Sequence, residues 1–310
     1  MRVGLLILPA QPWRETARLW RTAEDLGFDH AWVHDHLSWR DLAGRPWFAA
    51  VPTLAAAAAV TTRIRLGTLV CTPNYRHPVP LAQEAVALDD ISGGRLVLGL
   101  GAGVDGPDSR VLGRPRPGRD ERAARFAEFT ALTDRLLRQD VTDFTGEHYR
   151  AVEARLTPGC TQRPRVPLAV AAPSPRTMRV AARHADTWIT NGHTPEPGLR
   201  AAVVDVETVR EQSERFTDAC LAEGRDPAEP ARLVFHADRT RSALASAGEF
   251  AELAAAYAEA GLSDLVVPYP RTGPPHVADP AVLERVAADV LPDLRRRTEN
   301  GERKASNAKR

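Results

Sequence analysis

Short apolar runs alternate along the chain with longer stretches in which apolar residues return every three or four positions. The first pattern suits strands buried on both faces, and the second suits helices that cover them. Strands are predicted over Val3–Leu8, Ala31–His34, Ile64–Val70, Leu96–Leu100, Leu168–Ala172, Thr187–Thr190, Leu233–His236 and Leu265–Val267. Helices are predicted over Glu15–Leu26, Pro52–Val60, Val79–Ile91, Asp120–Arg138, Pro175–His184, Ala201–Glu223, Ser246–Ala260 and Pro280–Leu291. Strict strand–helix alternation implies parallel strands with right-handed crossovers, and eight such units close most economically into an α/β fold of the (β/α)8, or TIM, barrel type. An open doubly wound sheet is the competing architecture. It usually has fewer strands and a Gly-rich first turn, whereas the turn here reads LPAQPWRE.

Two insertions interrupt the alternation. Val104 to Arg119, after the fourth strand, is rich in Gly, Pro and Arg; Val141 to Pro167, before the fifth, contains a hairpin signal at Thr145-Gly146. The expected organisation is a single barrel domain over residues 1–294, followed by a polar, disordered tail over 295–310, RRRTENGERKASNAKR.

The barrel reading gives meaning to His30–Trp39, HAWVHDHLSW. The apolar run ends in His34-Asp35-His36, which would emerge at the C-terminal rim, the face on which barrel enzymes carry their chemistry. An HxH pair at a strand end is one way to bind zinc, with His193 and Asp264 as the nearest further ligands, although Asp264 precedes its strand. Packed or surface histidines are the plain alternative. A second cluster runs from LGTLVCTPNYRHP, Leu66 to Pro78, to DDISGGRLVLGLGAG, Asp89 to Gly103. Its small residues would let a ligand approach the backbone, but the spacing is not that of a dinucleotide fingerprint. The third cluster, AAPSPRT from Ala171, puts Ser174 and Pro175 at a helix start whose free N–H groups suit an anion, with Arg176 beside them.

Composition narrows the function classes. A formal net charge of +1 and the absence of a basic stripe interleaved with aromatics argue against nucleic acid. No apolar run approaches the roughly 18 residues of a membrane span, and only Arg2 precedes the first strand, without a signal-peptide layout. Three distant cysteines, Cys71, Cys160 and Cys220, fit free thiols in a reducing compartment. A cytoplasmic protein is expected.

Together, WVHDHL, RIRLGTLVCTPNYRHP, LAQEAVALDDISGGRLVLGLGAG, TGEHYR and SPRTMRVAARHADTWIT resemble the luciferase-like monooxygenase superfamily of flavin- or deazaflavin-dependent (β/α)8 oxidoreductases. The resemblance covers about Met1 to Asn191 and is weaker beyond. It implies a reduced flavin or deazaflavin that carries out hydride transfer or monooxygenation on a small organic substrate. The coenzyme is implied to be a deazaflavin of the F420 type or FMN. His36 is implied as the group that gives or takes the proton, with Asp35 as a polar partner of ring or histidine. Thr68, Leu69, Val70 and Thr72 would line one ring face, Gly101 and Ala102 the tail, and Ala172, Pro173, Ser174 and Arg176 the phosphate end. Trp39 and Val104 would wall the substrate pocket, and Val104 stands where sugar-phosphate dehydrogenases of this family carry an acid. A non-proline cis peptide at Leu69–Val70, a homodimer and the absence of a metal are also implied. A metal-dependent barrel hydrolase using His34 and His36, and a catalytically silent flavin-binding protein, are the competing readings.

Overall fold

The computed structural model describes residues 1–39, 42–104, 107–113, 118–192, 204–238 and 242–297. Eight parallel strands form the closed barrel: β1 (Arg2–Leu6), β2 (His30–Val33), β3 (Arg65–Thr68), β4 (Leu96–Gly101), β7 (Leu168–Ala171), β8 (Thr187–Thr190), β9 (Ala231–Phe235) and β10 (Asp264–Pro268). β10 closes onto β1 with Leu265 opposite Val3 and Val267 opposite Leu5. The eight predicted strands coincide with these to within two residues at each end. The ladder stops earlier than the apolar runs do: β3 ends at Thr68, where the chain leaves the ladder and touches β4 again only at Cys71 and Leu100. The hairpin of the second insertion is present as an antiparallel pair, β5 (Val141–Thr145) and β6 (Arg150–Arg155). Glu128 holds its turn by accepting backbone N–H groups from Glu147, His148 and Tyr149.

Helices α1 (Trp13–Asp25), α2 (Ala50–Val60) and α3 (Pro78–Ile91) cover the first strands. α5 (Arg119–Arg138), α6 (Pro175–His184), α7 (Val206–Ala222) and α8 (Ala247–Glu259) cover the rest, and α9 (Pro280–Arg285) continues into a π-helical turn at Val286–Val290. The first insertion contributes one short helix the sequence pattern did not indicate, α4 (Pro107–Val111). Alternation along each strand divides the core in two. Outward residues such as Val3, Leu5, Ala31, Leu98 and Leu265 pack under the helices, while Leu6, Trp32, Val97, Ala169, Ile189, Leu233 and Val266 fill the barrel interior. Of the predicted tail, residues 298–310 lie outside the described residues, as do His193 and part of the Val104–Arg119 insertion.

The floor of the barrel is polar. Asp264 is 3% exposed and accepts from Arg2 Nε and Nη2, both at 2.8 Å, from the Ser263 hydroxyl at 2.7 Å and from His30 Nε2 at 3.2 Å. His30 Nδ1 in turn accepts from Trp32 Nε1 at 2.7 Å. Gly4 makes room for this ring, since a Cβ there would lie 1.8 Å from His30 Nδ1. Asp264 therefore belongs to a structural network at the end of the barrel opposite His34 and His36, which removes it from any metal site with them.

Candidate functional site

At the rim, β2 runs out into His34-Asp35-His36, and successive side chains there point to opposite sides. His34 and His36 face a cavity of about 380 Å3, which they line together with Trp39, Leu69, Val70 and Thr72. Asp35 points away from it. That carboxylate is 1% exposed and receives Arg76 Nε at 2.9 Å and Nη2 at 2.7 Å, while Arg76 Nη1 reaches Glu84 at 3.0 Å. Burial, and then the charge of Asp35, push the thiol of Cys71 and the phenol of Tyr75 up, so both stay protonated beside it. Asp35 thus ties the rim of β2 to the segment after β3 and does not line the cavity.

His36 has a partner that the sequence did not suggest. Its Nδ1 lies 2.7 Å from Asp108 Oδ2, and Asp108 Oδ1 accepts the backbone N–H groups of Leu37 at 2.8 Å and Ser38 at 3.3 Å. Asp108 is 3% exposed. Burial would raise its pKa, but the His36 hydrogen bond and charge and the two backbone N–H groups outweigh burial and hold the carboxyl below its usual range. An ionised Asp108 can only accept, so Nδ1 of His36 carries the proton and Nε2 is left for the cavity. His34 is fixed in a related way, with Nδ1 2.6 Å from the Leu69 carbonyl oxygen. Among the described residues no group of three or more His, Cys, Asp or Glu side chains converges as a metal site requires.

The wall next to β2 is the segment after β3. The Leu69–Val70 peptide bond is cis, and both side chains line the cavity. Thr68 lies behind, its hydroxyl donating to the Gly99 carbonyl at 3.0 Å and accepting from the Gly99 N–H at 2.9 Å. The glycine run of β4 serves this displaced segment first: a Cβ on Gly99 would stand 1.8 Å from the Thr68 carbonyl oxygen, and one on Gly101 would stand 2.5 Å from Val70 Cγ2. Gly103 has φ +74° and packs on Asn74, whose amide donates to the Val104 carbonyl at 3.1 Å. Gly101, Ala102, Gly103 and Val104 then continue along the cavity.

Its far end is the start of α6. Pro173, Ser174 and Thr177 line it, with the Ser174 N–H bonded to Thr177 Oγ1 at 3.2 Å and the two hydroxyls 2.9 Å apart. A helix start presents N–H groups and the positive end of its dipole, which suits a phosphate. Ala172 is fully buried behind this end, its carbonyl accepting from Trp188 Nε1 at 2.9 Å. Arg176 lies in an adjoining groove, paired with Asp120. Thr190, Asn191, Val204, Phe235 and His276 are also part of the lining. Asn191 and Phe235 were within reach of the rim argument, since each stands at a strand end; Val204 and His276 carry no local signal.

The cavity runs from the His36 rim to the start of α6. Its volume falls in the range of about 300–1000 Å3 usual for small-molecule sites. A family model described as luciferase-like monooxygenase matches residues 1–245. The chain belongs to the luciferase-like monooxygenase family. A relative named F420-dependent glucose-6-phosphate dehydrogenase, from Beutenbergia cavernae, is 34% identical and aligns over 89% of this chain and 91% of its own length. A protein of the same name from Amycolatopsis mediterranei is also 34% identical, over 66% of this chain and 63% of its own length. The solved F420-dependent tetrahydromethanopterin reductase from Methanopyrus kandleri superposes with a TM-score of 0.76 at 19% identity, over 94% of this chain and 99% of that one. This luciferase-like protein is an oxidoreductase of the flavin or deazaflavin type. No helix among its described residues is long and apolar enough to cross a membrane.

Proposed function

We propose that the protein transfers hydride between a deazaflavin of the F420 type and a small organic substrate, with His36 holding the proton at Nε2. The observation that carries this reading is the His36–Asp108 pair, set at the mouth of a cavity whose other end is the start of α6. The coenzyme, when bound, would supply the hydride chemistry. Leu69, Val70 and Thr72 would back its ring, Gly101 and Ala102 would flank its tail, and Pro173, Ser174 and Arg176 would meet its phosphate. Thr68, Ala172 and Asp35 would act from behind, by holding those segments in place. His36 would accept a proton at Nε2 from a substrate hydroxyl, or return one to a carbonyl, while Asp108 keeps the ring in one tautomer and stabilises its protonated form. Monooxygenation with FMN is the second reading, favoured by the family description itself.

Titrating the full chain with F420, FMN and reduced FMN, followed by fluorescence and heat, tests the coenzyme. F420 is expected to saturate at one per chain and FMN to bind more weakly. The reverse order would move the reading to FMN, and binding of none of them would remove it. A protein that bound F420 but turned over no substrate would be the silent binder instead.

We further read the protein as a cytoplasmic homodimer with no nucleic-acid or membrane partner. Family resemblance supports the dimer. The apolar stripe of α3 does not, because Leu81, Ala82, Ala85 and Leu88 are buried in this chain's own core. Sedimentation is expected to give the mass of two chains, and a monomer mass at every concentration would refute it.

A further inference from the structure

The two ends of the cavity differ in chemistry. Beyond the α6 end lies a groove of about 480 Å3 that carries Arg119, Arg122 and Arg176, the last paired with Asp120. At the His36 end no Lys or Arg among the described residues contributes to the lining, and rings take their place. The Trp39 ring lies 5.4 Å from that of His34 and stacks on Trp47 at 5.8 Å with 14° between planes. His276 stands 6.3 Å from Trp39, and Phe235 meets His34 edge-on at 5.8 Å and 85°. Trp47 is fixed in turn, donating Nε1 to the His36 carbonyl oxygen at 2.8 Å. Trp47, which backs Trp39, is therefore tied to the backbone of the proton-holding histidine.

Against the described residues of this wall a phosphate dianion would lose its water without gaining a cation, which is strongly unfavourable. A flat apolar ring would lose little and would gain stacking and dispersion contacts. We infer that the substrate is an uncharged, flat, largely apolar ring compound with a secondary alcohol or ketone carbon on the ring, which lies against Trp39 with its oxygen at His36 Nε2. This rests on the hydride-transfer reading. In the oxidising direction the carbinol C–H bond breaks and its electron pair leaves as hydride to the oxidised deazaflavin. The O–H bond breaks, its proton passes to His36 Nε2, and the C=O bond forms; reduction is the reverse. Trp39 is the residue that sets specificity, and glucose 6-phosphate, for which the relatives are named, is disfavoured.

The probes are 1-indanone, 1-indanol and glucose 6-phosphate, used with the full chain. In calorimetry without coenzyme, 1-indanone is expected to bind saturably. Trp39→Ala should weaken that binding about tenfold or more, and Trp39→Phe should largely restore it. With F420 bound, kcat/KM for 1-indanol is expected to exceed that for glucose 6-phosphate by about a hundredfold. Equal or better use of glucose 6-phosphate, or unchanged 1-indanone binding in Trp39→Ala, would overturn the assignment. Binding of 1-indanone through Trp39 in a protein that binds no coenzyme would uphold the pocket and sink the hydride-transfer reading instead.

Discussion

Replacing His36 with Ala is expected to leave coenzyme binding near that of the parent chain while lowering turnover by about a hundredfold or more, the usual loss for a general acid or base. The coenzyme contacts proposed for Leu69, Val70, Gly101 and Ser174 lie on other segments, so the substitution removes only the group that would hold the proton at Nε2. Asp108→Asn separates that role from simple packing. An amide can still receive the Leu37 and Ser38 N–H groups but no longer fixes Nδ1 as the protonated nitrogen or offsets the charge of a protonated ring. It is expected to lower kcat with little change in KM and to alter the pH profile of kcat. Stopped-flow single turnovers with F420 bound are the measurement; an unchanged rate in His36→Ala would remove this residue from the chemistry.

The largest expected effect on stability lies at the opposite end of the barrel. Asp264→Ala should cost about 3–5 kcal/mol, as is usual when one member of a buried pair is removed, because His30 and Arg2 lose their shared acceptor. Burial opposes ionisation of Asp264, but His30 and Arg2 outweigh it and hold the carboxyl well below the ordinary range. A depressed folded pKa contributes stability that is present above the unfolded value and lost as pH falls through the folded one. Urea denaturation at a series of pH values is therefore expected to show a constant gap between parent and variant near neutrality, closing below about pH 4. A gap that persists at acid pH would mean that cavity formation, not charge, sets the cost.

The barrel was legible because its strands are short apolar runs spaced by helical periodicity, and both signals are local. The rim location of His34 and His36 followed from the same reasoning. The direction of Asp35 was also within reach: neighbours along an extended chain face opposite ways, so two flanking histidines in the cavity put the aspartate outside it. Its role as a ring partner came instead from resemblance. Asp108 was not legible. Its segment, VDGPDSRVLGRPRPGR, has no periodicity, and its link to His36 is a contact across 72 residues made by one carboxylate. Of the glycines of GLGAG, Gly101 and Gly103 lie along the cavity, while Gly99 clears the Thr68 carbonyl of a neighbouring strand. Such a requirement depends on the register between strands, which sequence alone does not display.

On the proposed function, the grip of Asp108 on both the His36 ring and the Leu37 and Ser38 backbone would make the first insertion a carrier of catalytic competence. Transplanting that segment between relatives would move an acid along with a pocket wall. A graft lacking a carboxylate at the position of Asp108 would keep the eight-stranded scaffold yet leave the imidazole free to take either tautomer. Redesign of this face toward new substrates therefore has to treat the segment and His36 as one exchangeable unit.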